Sequence, residues 1–223
     1  QLHIGNQNNN NSYIDGKGSA ARFSRPEQPV LDVMGNIYVY DGNNRVIRKI
    51  DINKNVTTFA GDGSQCNRDD GQNFEKLCDS YGMTTDSIGN IYTVEVNSYL
   101  GNPIKKINSA GKVSLVVEKA SVNPTEYLHD WGFIASKYLT VQMAVDKQDV
   151  LYLADPNDKV IRKYINGALE LFSGSEMKEN AGYVDGVAAQ AKFSANMTGI
   201  AFAKSNNLYV LDDNKNKKIE ADG

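Results

Sequence analysis

Histidine and cysteine are scarce in this chain of 223 residues, with two of each, and tryptophan occurs once. No apolar run approaches the roughly 18 residues that a membrane span requires, so no membrane insertion is predicted. The net charge is -3 and the sequence pI about 5.5. Because a nucleic-acid surface needs an excess of lysine and arginine on one face, this balance argues against nucleic acid as a partner.

One stretch of the chain recurs. Gly35 to Asp41 is rich in β-branched and aromatic residues and is followed closely by Arg45 to Ile50, which predicts two strands joined by a turn. Tyr38 recurs as Tyr92, Tyr152 and Tyr209, at steps of 54, 60 and 57 residues by subtraction. A period of this length suits a four-stranded propeller blade with one long loop.

The repeated pattern resembles the NHL repeat. The first copy carries, in order, Asp15-Gly16, Ala21, Phe23, Pro26, Asp32, Gly35 to Val39, Asp41, Asn44 and Ile47 to Ile50. The later copies depart in places, with Glu95 where the first has Asp41 and Ala203 where it has Asp32. The resemblance implies an all-β fold, a β-propeller of four NHL-like blades. It does not by itself supply a function, since propellers host many.

The predicted blades lie at about 27–61, 81–118, 139–174 and 197–220, within a single domain over residues 1–223. The fourth blade stops before its outermost strand, and residues 1–5 match that strand. We therefore predict that the N-terminal strand closes the last blade, which removes exposed sheet edges. The alternatives are a fragment of a larger ring, because NHL propellers more often have six blades, and a strand donated to a neighbouring chain.

Polar residues collect in the turns after the second strand of each blade, which connectivity places on one face. The candidate binding residues on this face are Asp41, Asn43, Asn44, Glu95, Asn97, Tyr99, Asp155, Asn157, Asp158, Asp212, Asp213 and Asn214. One interpretation is that the Asp and Asn side chains cap their own turns. The other is a polar face that binds a glycan, a peptide or a cation.

The two cysteines, Cys66 and Cys78, fall in the loop leading into the second blade. Their spacing does not resemble a four-ligand zinc site. A local disulfide is expected, and two buried free thiols are the alternative. Three Asn-x-Ser/Thr sequons, at Asn10, Asn55 and Asn196, add candidate glycosylation sites. Together these features favour a secreted or cell-surface location, with no signal peptide visible.

Catalytic motifs are sparse. Relatives of the NHL propellers include lyases that hold zinc with several histidines and lactonase-like enzymes that hold calcium near the innermost strands, but this chain has only His3 and His129. Glu27 is the single carboxylate among the residues that lead into the predicted innermost strands, too few for a calcium cage. The sequence therefore predicts no catalytic residue, no metal site and no cofactor.

These observations favour a non-catalytic extracellular propeller that binds a protein or glycan ligand as a binding or adhesion module. A structural subunit that assembles with copies of itself through residues 1–5 is the second hypothesis. A metal-dependent lyase or lactonase-like hydrolase is the third.

Overall fold

The computed structural model describes residues 13–65, 76–96, 103–117, 141–156, 158–174, 191–213 and 215–219. These residues form sixteen β-strands and two short 3-10 turns, Gly18–Ala20 and Gly42–Asn44. Within that part of the chain, no helix has the length and apolar character needed to cross a membrane. The chain divides into two compact units, Gln1–Glu118 and Lys119–Gly223.

The first unit contains two antiparallel sheets. Its first sheet comprises β1 (Gly16–Lys17), β2 (Pro26–Leu31), β3 (Ile37–Asp41), β4 (Val46–Ile50) and β5 (Asn55–Ala60), in the order β1-β5-β4-β3-β2. Its second sheet comprises β6 (Asp79–Thr85), β7 (Ile91–Val96), β8 (Ile104–Ile107) and β9 (Val113–Val117), in sequential order. Strands β2 to β5 and β6 to β9 each form a meander, as expected of a propeller blade, and β1 adds to the β5 edge of the first sheet.

The second unit repeats this plan. Its first sheet comprises β10 (Gln142–Val145), β11 (Leu151–Asp155), β12 (Val160–Ile165) and β13 (Ala168–Ser173), in sequential order. Its second comprises β14 (Met197–Phe202), β15 (Leu208–Asp212) and β16 (Lys215–Ile219). The four sheets confirm the predicted all-β fold with four propeller blades. Residues 1–5, predicted to complete the last blade, lie outside the described residues.

A carboxylate closes the first hairpin in three of the four sheets. Asp32 Oδ1 accepts two backbone N–H groups of its turn, and Oδ2 accepts the Asn36 amide at 2.7 Å and the Tyr38 hydroxyl at 3.2 Å. Burial opposes ionisation, but the bonds from Asn36 outweigh it and lower the pKa of Asp32. The same arrangement recurs at Asp86 and Asp146. These turns explain why Asp and Tyr repeat at fixed spacing.

Apolar side chains pack between the two sheets of each unit. In the first unit the buried cluster draws on both sheets and contains Tyr38, Tyr40, Ile47, Ala60, Leu77, Met83, Ile91, Ile107 and Val113. In the second unit Tyr152 meets Phe172 and Phe202 edge-on, with both ring centroids at 4.9 Å. Phe193, from the loop that precedes β14, is buried in the same cluster.

Substitution of Gly111 tests the approach between the two sheets of the first unit. Gly111 and Gly89 both have φ of +82°, but an added Cβ at Gly111 would lie 2.4 Å from the Phe59 carbonyl oxygen, whereas at Gly89 it would meet nothing within 4 Å. Gly89→Ala is expected to lower the free energy of unfolding by about 1–2 kcal/mol through its left-handed backbone. Gly111→Ala should lower the free energy of unfolding by at least about 1 kcal/mol more than Gly89→Ala does, because the overlap with the Phe59 backbone adds to this strain. Urea unfolding of the matched pair measures the difference, and equal losses would contradict the close approach.

Candidate functional site

An ion pair with a buried acid recurs in every sheet, between an acid at or one residue before the end of β3, β7, β11 or β15 and a base on the strand that follows. The pairs are Asp41 Oδ2 with Arg48 Nη1 at 3.2 Å, Glu95 Oε2 with Lys105 Nζ at 2.7 Å, Asp155 Oδ2 with Arg162 Nε at 3.2 Å and Asp212 Oδ2 with Lys217 Nζ at 2.9 Å. The acid side chains are all 0–1% exposed. Because a buried charge requires a partner, Arg48, Lys105 and Lys217 are buried beside their acids, whereas Arg162 is 15% exposed.

These pairs also hold the loop that leads into the blade. Arg48 Nη1 donates to the Arg22 carbonyl at 2.8 Å, and its guanidinium lies 5.0 Å from the Phe23 ring centroid. Asp41 Oδ1 accepts the Ser24 N–H at 2.6 Å. The fourth sheet repeats the plan, with Lys217 bonded to the Lys192 carbonyl and stacked 4.7 Å from the Phe193 ring. The ion pair thus anchors the incoming loop by charge, hydrogen bonds and cation–π contact.

The second sheet departs from this plan at three positions. Lys105 Nζ still donates to a loop carbonyl, that of Lys76 at 2.5 Å. By this alignment Leu77 stands where the loops of the first and fourth sheets have phenylalanine, and Cys78 stands where those two loops have serine. The acid is the longer Glu95 rather than aspartate. The second sheet therefore keeps the ion pair but changes the groups that surround it.

The structure divides the predicted binding face. Asp41, Glu95, Asp155 and Asp212 are buried in their ion pairs, and each acid is brought to a base rather than to the other acids. Asn44 is buried, Asp158 is half-buried and bonds Arg162 at 2.5 Å, and Asn43 and Asp213 are exposed. Asn97, Tyr99, Asn157 and Asn214 lie outside the described residues. A ligand at this face stays a prediction.

Glu95 has an unusual ionisation among these acids. Its side chain is 0% exposed, and burial raises the pKa of its carboxyl to about 7 although the nearby Lys105 ammonium favours the charged form. Tyr40, whose hydroxyl donates to the Cys78 carbonyl at 2.7 Å, lies close enough for Glu95 to raise the pKa of that hydroxyl, after the larger effects of burial and Asp79. The Glu95 carboxyl therefore gains and loses its proton near neutral pH.

A chain of polar side chains lies beside Glu95. The Gln28 amide donates to the Ser80 carbonyl at 2.8 Å, the Ser80 hydroxyl donates to Gln28 Oε1 at 2.9 Å, and the Ser80 and Thr93 hydroxyls are 2.7 Å apart. Ser80 is the register partner of Glu95 across β6 and β7, and Thr93 lies two positions earlier on β7. Since alternate strand residues share a face, all three project from one face of this sheet. A bulge follows Ser80 in β6.

This cluster, formed by Gln28, Ser80, Thr93, Glu95 and Lys105, is the candidate functional site. A carboxyl with a near-neutral pKa beside hydroxyl and ammonium groups is suited to proton transfer. Glu95 was among the residues that the sequence pattern indicated, and the other four were not. The signal in the sequence is that Glu95 replaces the repeated aspartate, whereas its polar partners come from β2, β6, β7 and β8 and are brought together only by the fold.

The described residues contain no cluster of the side chains that most often bind metals. Among these residues, no three histidine, cysteine, aspartate or glutamate side chains form a group that could hold an ion. Glu27, the carboxylate expected near a calcium cage, is 2.6 Å from Arg25 Nε instead. His3 and His129 lie outside the described residues. No chemical step is therefore assigned to a metal.

The predicted modification sites are described only in part. Cys78 is buried, and Cys66 lies outside the described residues, so the disulfide stays a prediction. Asn55, at the start of β5, and Asn196, just before β14, are both exposed, and their amides donate to Asp51 and Asp213 at 2.8 and 2.7 Å. Asn10 lies outside the described residues, and glycosylation likewise stays a prediction.

Several solved structures that are similar to this one are those of named or putative enzymes. Virginiamycin B lyase from Staphylococcus aureus is 15% identical with a TM-score of 0.54, and the match covers 90% of this chain and 54% of that one. A streptogramin B lyase is 14% identical with a TM-score of 0.55, and the match covers 100% of this chain and 66% of that one. A putative gluconolactonase is 10% identical with a TM-score of 0.55, and the match covers 89% of this chain and 61% of that one. The chain thus spans about half to two thirds of the length of these proteins. No family model and no curated protein matches it. The NHL resemblance is therefore not confirmed beyond the propeller fold.

These neighbours correct the predicted function. The expectation of a non-catalytic binding or adhesion module, with a self-assembling subunit as its alternative, is contradicted because the similar folds are those of lyases and a putative gluconolactonase. The prediction that the chain is not an enzyme is contradicted by the same neighbours. That prediction was based on the absence of familiar histidine and carboxylate motifs. Such motifs do not reveal proton-transfer groups that come from distant strands and meet only in the fold. At these identities the likeness itself establishes the fold of this chain, a β-propeller.

Proposed function

We propose that this chain is all or part of a propeller enzyme of the lyase or lactonase class. The observation in the chain itself that carries the proposal is the near-neutral carboxyl of Glu95 within a buried cluster of hydroxyl, amide and ammonium groups. The propeller fold shared with streptogramin B lyases and a putative gluconolactonase supports the same class.

Glu95 is assigned the role of proton acceptor. A lyase removes a proton from its substrate to cleave a bond without water, and a lactonase activates a water molecule to open a cyclic ester, so both reactions need a base. A carboxylate with a pKa of about 7 is a stronger base than an ordinary one and is still largely ionised at slightly alkaline pH. Lys105, at 2.7 Å, holds the carboxylate in place and stabilises its charged form.

We propose that the substrate binds against Gln28. Gln28 is the half-buried member of the cluster, whereas Ser80, Thr93, Glu95 and Lys105 are buried. A substrate can displace the Gln28 amide from the Ser80 carbonyl. The freed amide then donates a hydrogen bond to the carbonyl oxygen of the substrate, and the Ser80 hydroxyl is exposed to it. Binding at this point therefore brings the reacting group toward Glu95.

The test is turnover of virginiamycin B, quinupristin and a gluconolactone by the purified chain and by Glu95→Gln. The variant is expected to lose about 10²–10⁴-fold in kcat/KM, the usual contribution of a positioned base. Asp212→Asn is the matched control, because it alters the equivalent ion pair of the fourth sheet without touching the cluster. Circular dichroism and urea unfolding identify the conditions in which each variant is folded.

Two results would overturn the proposal. One is the absence of turnover by the folded wild-type chain on all three substrates. The other is a folded Glu95→Gln variant that keeps the wild-type kcat/KM, since Glu95 would then serve only as the structural partner of Lys105.

A further inference from the structure

Five large apolar side chains are exposed at one end of the first unit. Their exposed fractions are 59% for Leu31, 74% for Val33, 76% for Met34, 70% for Ile52 and 71% for Ile88. They lie at the turns after β2, β4 and β6, which the meander topology places at the same end of the two sheets. We call these five residues the apolar tips. Contiguous exposed apolar surface of this kind marks interaction sites.

The apolar tips are neighbours in space. A Cβ added to Gly35, beside Met34, would lie 3.5 Å from Ile52 Cγ2, which joins the first two turns. The Thr85 hydroxyl donates to the Leu31 carbonyl at 2.7 Å, which ties the strand before the third turn to the end of β2. The tips therefore form one patch across both sheets of this unit.

The turns themselves do not require apolar residues. The equivalent hairpin after β10 uses the same aspartate-capped turn, with Gln148 and Val150 N–H groups bonded to Asp146, yet its tip residues are Lys147 and Gln148. The hairpin after β14 carries Lys204 and Ser205. Both polar pairs are exposed. The same local structure thus forms with charged or polar tips, and the apolar tips of the first unit serve another purpose.

Positive charge accompanies the apolar tips. Lys54 is exposed in the turn after β4, Lys17 is exposed and pairs in register with Asn55 beside that turn, and Lys112 is exposed at the turn after β8, at the same end of the sheet. By contrast, Asp32 and Asp86 are buried, with their carboxylates bonded inside their turns, while Asp51 is half-buried. The exposed charge around the tips is therefore mainly positive.

We propose that the apolar tips and these lysines dock on an anionic lipid surface. Side chains that protrude from separate turns enter the boundary between headgroups and acyl chains without needing a matching cavity, and nearby lysines are attracted to anionic headgroups. A second copy of the chain fits less well, because a two-fold contact through this patch would set lysines against lysines. This docking is peripheral and does not depend on the proposed enzyme function.

The experiment is co-sedimentation of the chain with vesicles of phosphatidylcholine alone and of phosphatidylcholine with phosphatidylserine. The wild-type chain should bind the anionic vesicles, and added salt should weaken the binding by screening the lysines. The triple variant Met34→Ser, Ile52→Ser and Ile88→Ser should bind at least about tenfold more weakly, because partition scales with the apolar surface that is buried. Leu171→Ser, which removes an apolar side chain that is 43% exposed on β13, is the control and should bind like wild type.

Three results would overturn the proposal. They are failure of the wild-type chain to bind phosphatidylserine vesicles, unchanged binding by the folded triple variant, and a concentration-dependent dimer in light scattering that the triple variant abolishes. The last would assign the patch to a second copy of the chain.

Discussion

Replacing Arg48 with methionine is expected to lower the free energy of unfolding by about 3–5 kcal/mol. The arginine side chain is 0% exposed and holds Asp41, which is equally buried, at 3.2 Å. It also bonds Asp15 and the carbonyls of Arg22 and Ile14. Methionine fills similar space but leaves the Asp41 carboxylate in the core without its counterion and the loop without its anchor.

Lys49→Met is the matched control for this experiment. Lys49 is the next residue on β4, half-buried, with its ammonium 5.6 Å from the Tyr38 ring centroid. Its replacement should change stability by less than about 1 kcal/mol, as for most partly exposed positions. Denaturant unfolding followed by circular dichroism compares the two. A loss at Arg48 no greater than that at Lys49 would show that the ion pair does not anchor the blade.

The titration of Glu95 should appear in the pH dependence of the free energy of unfolding. Its pKa is raised from 4.5 to about 7 in the folded chain, mainly by burial, so the folded state binds this proton more tightly than the unfolded state. The resulting stability is fully present below about pH 4.5 and is lost as the pH rises through about 7. A shift of this size corresponds to about 3 kcal/mol. Urea unfolding at intervals from pH 4.5 to 8 measures it.

Glu95→Gln removes the titrating group and should flatten this part of the pH profile. Glu27→Gln is the control, because Glu27 is a half-buried glutamate paired with Arg25 rather than a buried one. The control should keep the wild-type slope between pH 4.5 and 7. An identical slope in Glu95→Gln and the wild-type chain would show that Glu95 titrates at its ordinary pKa.

The strands and turns were predictable from sequence because their determinants are local. The aspartate that caps a hairpin lies four residues before the asparagine it bonds and six before its tyrosine, as at Asp32, Asn36 and Tyr38. The extent of β2, Pro26–Leu31, is less visible in the sequence. A bulge between Glu27 and Val30 breaks the alternation that marks such a strand.

The neighbouring residues in the sequence do not indicate the role of the acids near the ends of the second strands. Asp41 and Asp212 are followed by glycine, aspartate or asparagine, so they read as exposed turn residues. Their burial depends on bases several residues later and on the loop that precedes the innermost strand of the same sheet. The cluster around Glu95 depends on strands still farther apart in the chain. The predicted secreted location and the protein or glycan partner stay predictions.

The decisive experiment incubates the purified chain with quinupristin and with a gluconolactone and follows each substrate by liquid chromatography with mass spectrometry. We expect the wild-type chain, and not Glu95→Gln, to cleave at least one of them faster than it reacts without protein. A product of unchanged mass that separates from its substrate in chromatography would identify a lyase, because elimination within a ring gives an isomer, and the gain of one water would identify a lactonase. Rates with the folded wild-type chain that equal those without protein, for both substrates, would contradict the claim that this propeller is catalytic.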